Sequence, residues 1–596
     1  MIAMGPWSYV FLISAVGIFT GFIVQRKLNE LPDLVTNLDE EYDYVIVGGG
    51  TAGCVLANRL SEQQDVTVLL LEAGQDDRDH PTVPIPFKTL ESAHTSIDWD
   101  YRTVPQKQAL KAFKEQKAWW HRGKILGGSS NINDMIYTRG LKQDYDSWAK
   151  NGAEGWAYSD VLPYFMKSEN NENADFVKSG YHKMGGPLKV GRSKTHGLTN
   201  HLVRAGKEMG FKVININGAE SDGIVEIQST IHKGKRQSSS RSFLYPALWR
   251  PNLYVKTDSL VTKILLKNKK AVGVTVMHNK TISDVRARKE VILSAGTVGS
   301  AQLLLLSGIG PEKHLKSLKI PVHADLPVGD NLQDSLSLDY PVGINRPLSI
   351  TQERLESPWE QVKYMVFGKG MLASPNGFEM VTFTSSASNQ DKSWPDVQLQ
   401  FRGTLGDVVY GQILGFSNQT LHDISQRERF KDGMSCFSNI LRPHSRGTLR
   451  LSSANPLQTP VIDPKYLENK SDVDILLAGI KLCKKLLGTP SMKKLEAAYA
   501  ELPSSACPGL EFDTDEYWRC VIRARAQPAA RPVGTCRMGS VKDPLVVTDP
   551  KLRIKGVENL RVVDASVIPS LPSGTTHIPT IMIAEKAADL IKQAQT

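Results

Sequence analysis

Cysteine is scarce, with six in 596 residues, too few for a disulfide framework to hold a chain of this length. Only Cys507 and Cys520 have the local spacing of a loop-closing pair, expected to bridge if the chain lies in an oxidising compartment. Cys54 and Cys536 sit in motif backbones and read as small packing residues. There is no repeat, no low-complexity tract and no block of one charge. The 72 basic residues outnumber the 62 acidic ones, giving +10, but they are scattered without interleaved aromatics. That argues against nucleic-acid binding and describes a solvated basic surface, open to an acidic or membrane-surface partner. No G-x-S-x-G elbow occurs, and no His and carboxylate cluster has metal-ligand spacing, so no resident metal is expected. Three sequons, at Asn279, Asn418 and Asn469, are as many as chance supplies. Long apolar runs are also rare. The exception is Trp7 to Val24, with no charge ahead of it and Arg26-Lys27 behind. It is long for the apolar stretch of a signal peptide and just long enough to cross a bilayer. The expectation is the secretory pathway, with the protein either secreted or membrane-anchored through residues 7–24, the endoplasmic reticulum among the compartments.

What is present begins at residue 43. The run to Val47 is apolar, and Gly48-x-Gly50-x-x-Gly53 follows, leading into a helix over 52–60. The next apolar run, Val66 to Leu71, delivers Glu72 nineteen positions after Gly53. Gly48 permits the strand-to-helix turn, Gly50 lets backbone amides approach a pyrophosphate, and Gly53 lets the helix pack closely on the strand. The helix N-terminus then faces phosphate, and Glu72 can accept hydrogen bonds from a ribose. Strand, glycines, helix and acid together make an adenine-dinucleotide site.

Further on, Arg122-Gly-Lys-Ile-Leu-Gly-Gly-Ser-Ser-Asn-Ile-Asn133 is a loop that can present backbone amides to phosphate or to ring carbonyls. Residues 253–276 alternate like a β-hairpin, and a buried strand over 290–293 ends in Ser-Ala-Gly296 before a helical run to Leu306. Two strand-glycine-helix crossings suit one doubly wound sheet. Residues 345–530 mix short strands (396–401, 447–451) with helical runs such as 473–487, the pattern of an α+β second domain. Apolar strand pattern returns at 560–563, and 579–594 reads as a final helix.

These blocks resemble the glucose-methanol-choline family of oxidoreductases, in particular its insect glucose-dehydrogenase-like branch. The matching residues are Gly48 to Gly53 with Glu72-Ala-Gly74, Arg122 to Asn133, Gly296 to Gly310, Val328 to Leu332, Arg442 to Gly447, Pro532 to Gly539 and Val563 to Ser566. The resemblance implies FAD as cofactor and an α/β fold. Its Rossmann-like FAD-binding domain is discontinuous and is covered by a substrate-binding domain. In this chain the parts would be a targeting segment and linker over 1–39, mainly FAD domain over 40–344, mainly substrate domain over 345–530, and a return to the FAD domain over 531–596. It also implies that Arg122, Gly128, Ser129 and Asn133 approach the cofactor, that Val261 gives backbone contacts to adenine, and that Asp564, Ala565 and Thr580 lie near the flavin.

The chain departs from the family pattern where that pattern carries its base. The residue before Pro532-Val-Gly-Thr, usually His, is Arg531. A guanidinium keeps its proton and cannot be a general base, although it can hold positive charge beside a substrate oxygen. The second active-site position is His577, expected beside Arg531 at a helix N-terminus, where its charged form is disfavoured. His577 is thus the expected base and Arg531 an electrostatic clamp. Without the family, His577 before Ile-Pro reads as structural. His121, in place of a usual Pro, is expected near the surface without a role. The leading expectation is an FAD-dependent oxidoreductase acting on the CH–OH group of an alcohol, whether a sugar or an aryl, sterol or retinoid alcohol, with oxygen or a quinone as acceptor. The alternatives are a non-redox lyase or isomerase of the same fold, and a flavin-binding protein that has lost catalysis.

Overall fold

A computed structural model describes residues 31–193 and 197–594; the apolar run Trp7 to Val24 lies outside the described residues. Glu41–Val47 is the first strand, and its buried residues from Tyr44 to Val47 are the continuous apolar run expected of a strand covered on both faces. It pairs in parallel with Val68–Leu71 on one side and with the C-terminal half of Thr281–Leu293 on the other. Leu253–Lys256 extends the parallel sheet beyond Val68–Leu71, and Leu560–Val562 lies beside residues 291–293. The N-terminal half of Thr281–Leu293 leaves this parallel array and pairs antiparallel with Lys270–His278, which pairs with Ser259–Lys267. The seven-stranded sheet is therefore a parallel core with an antiparallel meander on one edge. The α/β, doubly wound expectation holds. The single hairpin expected over 253–276 resolves into a parallel strand followed by the first two strands of the meander.

Helix Thr51–Leu60 crosses from the first strand, and helix Gly296–Leu306 follows the strand ending at Leu293. The last helix, His577–Gln593, packs beside Thr51–Leu60. There the fully buried Glu585 receives Arg59 Nη2 at 2.7 Å and Nε at 2.8 Å. A buried carboxylate without a cation would be strongly disfavoured, so this pair ties the chain's end to its first crossing.

The second sheet has eight strands, among them Leu336–Ile344, Asp432–Ile440, Val397–Arg402 and Phe378–Thr384 in neighbouring order. Helix Lys470–Leu487 lies on one face. Its buried Val473, Leu476, Leu477, Ile480 and Cys483 recur at helical spacing. Gly479 is where it comes closest, since a Cβ there would lie 1.9 Å from Ser438 Oγ. A disulfide joins Cys483 on this helix to Cys436 on the strand beneath. It was not expected, because the cysteines are 47 residues apart and only tertiary packing brings them together. Cys507–Cys520 bridges as its spacing suggested, and Cys54 and Cys536 are free and buried. No helix among the described residues is long and apolar enough to cross a membrane.

Gly479→Ala is expected to destabilise the fold by about 1–3 kcal/mol, the range for overpacking a tight contact. It should be read as a lower thermal midpoint with flavin still bound. An unchanged midpoint would show that Ser438 simply rotates away.

Candidate active site between the two sheets

The crossing after the first strand is built from backbone in contact with backbone. Gly48 has φ +102°, and a Cβ there would lie 2.6 Å from Ser294 O at the end of the neighbouring strand. At Gly53 a Cβ would lie 1.9 Å from Gly48 O, which is the close helix-on-strand packing expected of the third glycine. Gly50, by contrast, has nothing closer than 3.9 Å, leaving open space in front of the helix N-terminus. A second glycine pair, Gly127 and Gly128, docks against this loop, with Gly127 N–H donating to Gly49 O at 2.7 Å. Glu72 ties the strand ends together. Its Oε2 accepts Gly49 N–H at 2.8 Å and its Oε1 accepts Gly74 N–H at 2.8 Å. Burial pushes this carboxyl up to about 7 in spite of those bonds. Each oxygen keeps a lone pair for a hydroxyl.

A cavity of about 440 Å³ runs from this cradle to the inner face of the second sheet. Its walls include Gly48, Gly50, Glu72, Arg122, Gly128, Ser129, Asn133, Val261, Asp564, Ala565 and Thr580, together with Arg531 and His577. Of the residues singled out in the sequence, only Gly53 does not line it, being packed beneath Gly48. Asp564 accepts Gly296 N–H at 2.9 Å and Ser300 Oγ at 2.5 Å, fixing the second helix N-terminus beside the cavity. Thr580 donates its hydroxyl to Thr576 O at 2.7 Å, inside the first turn of the last helix. Open space before a helix N-terminus, two glycine loops in contact and a buried carboxylate at a strand end fit an adenine dinucleotide such as FAD.

Arg531 is buried. Its backbone N–H donates to Asp334 Oδ1 at 2.7 Å and its Nη2 to Gln398 Oε1 at 3.3 Å, while its Nη1 has no partner. Burial draws its pKa down to about 10, opposed by Asp334 and Asp134, so it remains a cation at neutral pH. The other oxygen of Asp334 accepts Tyr466 OH, whose own oxygen accepts Trp120 Nε1 at 2.9 Å. His577 begins the last helix. Ser239 Oγ lies 3.3 Å from its Nε2, and its Nδ1 is buried without a partner. Burial depresses its pKa to about 4, and the cation that adds to this is Arg236 rather than the expected Arg531. Arg236 is itself buried, donating to Asn133 O at 2.6 Å and Val83 O at 3.0 Å.

The second sheet supplies the wall that the sequence did not reveal. Phe437 and Asn439 face the cavity while Cys436 and Ser438 face the helix behind, the alternation of a strand. Gln400 and Arg402 on the neighbouring strand join them, and Arg402 is held by Asn376 O and Oδ1, both at 2.7 Å. Val397-Gln-Leu-Gln-Phe-Arg402 reads equally well as a strand with one solvated face, so alternation alone could not announce a cavity. His121 was expected near the surface. Instead it lines the cavity, stacked on Trp119 at 4.7 Å, with its pKa lowered to about 3 by burial. The fold also gathers His94, Asp98 and Asp100 within metal-ligand reach, a grouping not evident from spacing. Asp98 there already accepts Trp119 Nε1 and the backbone N–H groups of Arg122 and Asp100, which reads as loop structure.

Glu72→Ala removes the acceptors of Gly49 and Gly74. It is expected to cut the dinucleotide retained through purification at least about tenfold, the two lost charge-assisted bonds each being worth roughly 1.5–3 kcal/mol. The ratio of flavin to protein absorbance measures this, and full occupancy would remove Glu72 from the binding machinery.

Comparison with known proteins agrees with this architecture. Family models described as GMC oxidoreductase match residues 42–337 and 443–584. The chain is 38% identical over 567 residues to glucose dehydrogenase [FAD, quinone] of Drosophila pseudoobscura pseudoobscura, covering 93% of this chain and 87% of that one. It is 39% identical over 560 residues to alcohol dehydrogenase [acceptor] of Pseudomonas putida, covering 92% and 95%. Among solved structures, a mutant form of Aspergillus oryzae formate oxidase superimposes with a TM-score of 0.82 at 27% identity, over 94% of this chain and 99% of that one. The glycine cradle, the two-sheet architecture and these matches lead to one conclusion: the chain belongs to the GMC oxidoreductase family and is an FAD-dependent oxidoreductase.

Proposed function

We propose that this enzyme oxidises the CH–OH group of a polar alcohol, with His577 as the base and Arg531 as the clamp on the substrate oxygen. The observation that carries this is that two groups able to act on an alcohol oxygen, Arg531 Nη1 and a ring nitrogen of His577, are buried without partners in residues that line one cavity, as is the hydroxyl of Ser294. Buried polar atoms without partners are rare in folded proteins, and such atoms on residues lining one cavity suit a site that a ligand completes. FAD, which the glycine cradle and Glu72 would hold, would supply a hydride-accepting ring. His577 takes the hydroxyl proton. Ser239 engages one ring nitrogen and leaves the other free, and burial keeps the ring neutral above about pH 4. Arg531 stays charged and offers Nη1 to the oxygen as negative charge develops there. Asp334 and Gln398 fix its position.

Gln400, Arg402 and Asn439 favour a substrate with hydroxyls beyond the reacting one, as in a sugar or polyol, over a hydrocarbon alcohol. The name of the Drosophila relative supports a sugar substrate and a quinone acceptor. The two disulfides support the secretory route as the compartment.

Anaerobic stopped-flow mixing with sugars, polyols and aryl alcohols should bleach the flavin, fastest with a polyhydroxy compound; turnover with an unbleached flavin would favour the lyase or isomerase reading. His577→Ala is expected to slow bleaching about 10²–10⁴-fold, and Arg531→Gln about 10²–10³-fold. Full activity in His577→Ala would remove the base assignment. The neutral imidazole is the active form, so the acid limb of the pH profile should fall near pH 4, well below an ordinary histidine. A limb at about 6.5 would place the base elsewhere.

A further inference from the structure

Helix Pro358–Phe367 is turned inside out. Its only buried residue is Glu360, which accepts Met371 N–H and pairs with Lys363 Nζ at 3.2 Å. Five large apolar side chains point outward, Trp359 at 63%, Val362 at 42%, Met365 at 79%, Val366 at 66% and Phe367 at 58% exposure. Exposed apolar residues scattered singly need no explanation, but this many on ten residues form a contiguous patch that marks an interaction surface. We propose that this helix docks the enzyme on an anionic lipid bilayer.

Three observations select that partner. The first is charge. Gly368 at the end of the helix packs against Gly234, and the neighbouring Lys233, Lys235 and Lys369 are exposed, with no ion pair among the described residues. Lys363 adds a cation 5.9 Å over the Trp359 ring. Apolar side chains with a tryptophan, bordered by lysines at the C-terminal end of the helix, match the acyl boundary and the phosphate layer of a membrane surface. The second is where the chain enters. Pro32 O accepts Arg78 Nη1 at 3.1 Å, and the charge of Arg241 acts on both Asp77 and Tyr364 of the helix. The described chain thus enters beside the loop at Asp77 and Arg78, and Asp77 accepts Ser240 Oγ at 2.9 Å on the segment that follows Lys233 and Lys235. The third is a second cavity of about 770 Å³, rimmed by Gln361 of the helix and by the exposed Val409. It shares Leu90, Asn376, Arg402 and Tyr410 with the active-site cavity. A bilayer under the helix would thus lie beside a cavity that adjoins the active-site cavity.

The test uses the full, flavin-loaded chain. A cysteine introduced by Phe367→Cys can be labelled selectively, because Cys54 and Cys536 are buried and the other four cysteines are bridged. With an environment-sensitive fluorophore there, and with the same label at Ile282→Cys as an exposed control, vesicles of phosphatidylcholine and phosphatidylglycerol with brominated chains are added. Emission at 367 is expected to shift blue and to be quenched several-fold more than at 282. Adding Met365→Glu and Val366→Glu should abolish the difference, with flavin content unchanged. Water-like, unquenched emission at 367 overturns the proposal, whether or not the protein pellets with the vesicles, and so does equal quenching at both sites. Emission already blue-shifted without lipid would assign the patch to residues 7–24 or to a second copy and would overturn it as well.

Discussion

The close approach of backbone to backbone at the end of the first strand governs this structure. Gly48, Gly53 and Ser294 meet at distances that leave no room for a Cβ, and the Glu72 carboxylate bridges amides on either side of the crossing. Everything downstream inherits its position from there. The second glycine loop docks on the first, the last helix is ion-paired to the first, and the strand at 560–562 completes the sheet, so chain from both ends lines one cavity. Hydrogen bonds made this way gain from rigidity, since the cradle is set before a ligand arrives.

The active-site end works by the same economy of exposure. Asp334 holds Arg531 through the backbone and Gln398 holds its Nη2, leaving Nη1 without a partner, while Ser239 holds one nitrogen of His577 and leaves the other. Burial then sets the charge states: the imidazole is neutral and the guanidinium remains charged, although both are pushed in the neutral direction. One carries a proton permanently and the other is ready to take one. Under the proposed function, the exchange of His for Arg at residue 531 separates two tasks and leaves proton transfer to His577.

Much of this was legible in the sequence because it depends on local geometry. The glycine spacing, the acid at the end of the second strand and the Ser-Ala-Gly turn before residue 296 each encode a backbone conformation that few residues permit. The inner face of the second sheet was not legible. Gln400, Arg402 and Asn439 alternate with apolar neighbours as surface residues do, and only the packing of one domain over the other turns that face inward. The Cys436–Cys483 bridge was hidden for the same reason, as was the placement of His121, whose environment comes from Trp119 and Ser92. Arg236 escaped notice although it is the cation nearest in effect to His577, because nothing in its neighbourhood forms a motif.

The strand Asp432–Ile440 shows what this arrangement makes available over evolutionary time. Cys436 and Ser438 are committed to the helix behind, by a disulfide and by a contact with no spare volume, while Phe437 and Asn439 line the cavity. Odd and even positions thus answer to different selective pressures. Substrate preference can drift one alternate residue at a time, on a scaffold whose other face does not register the change.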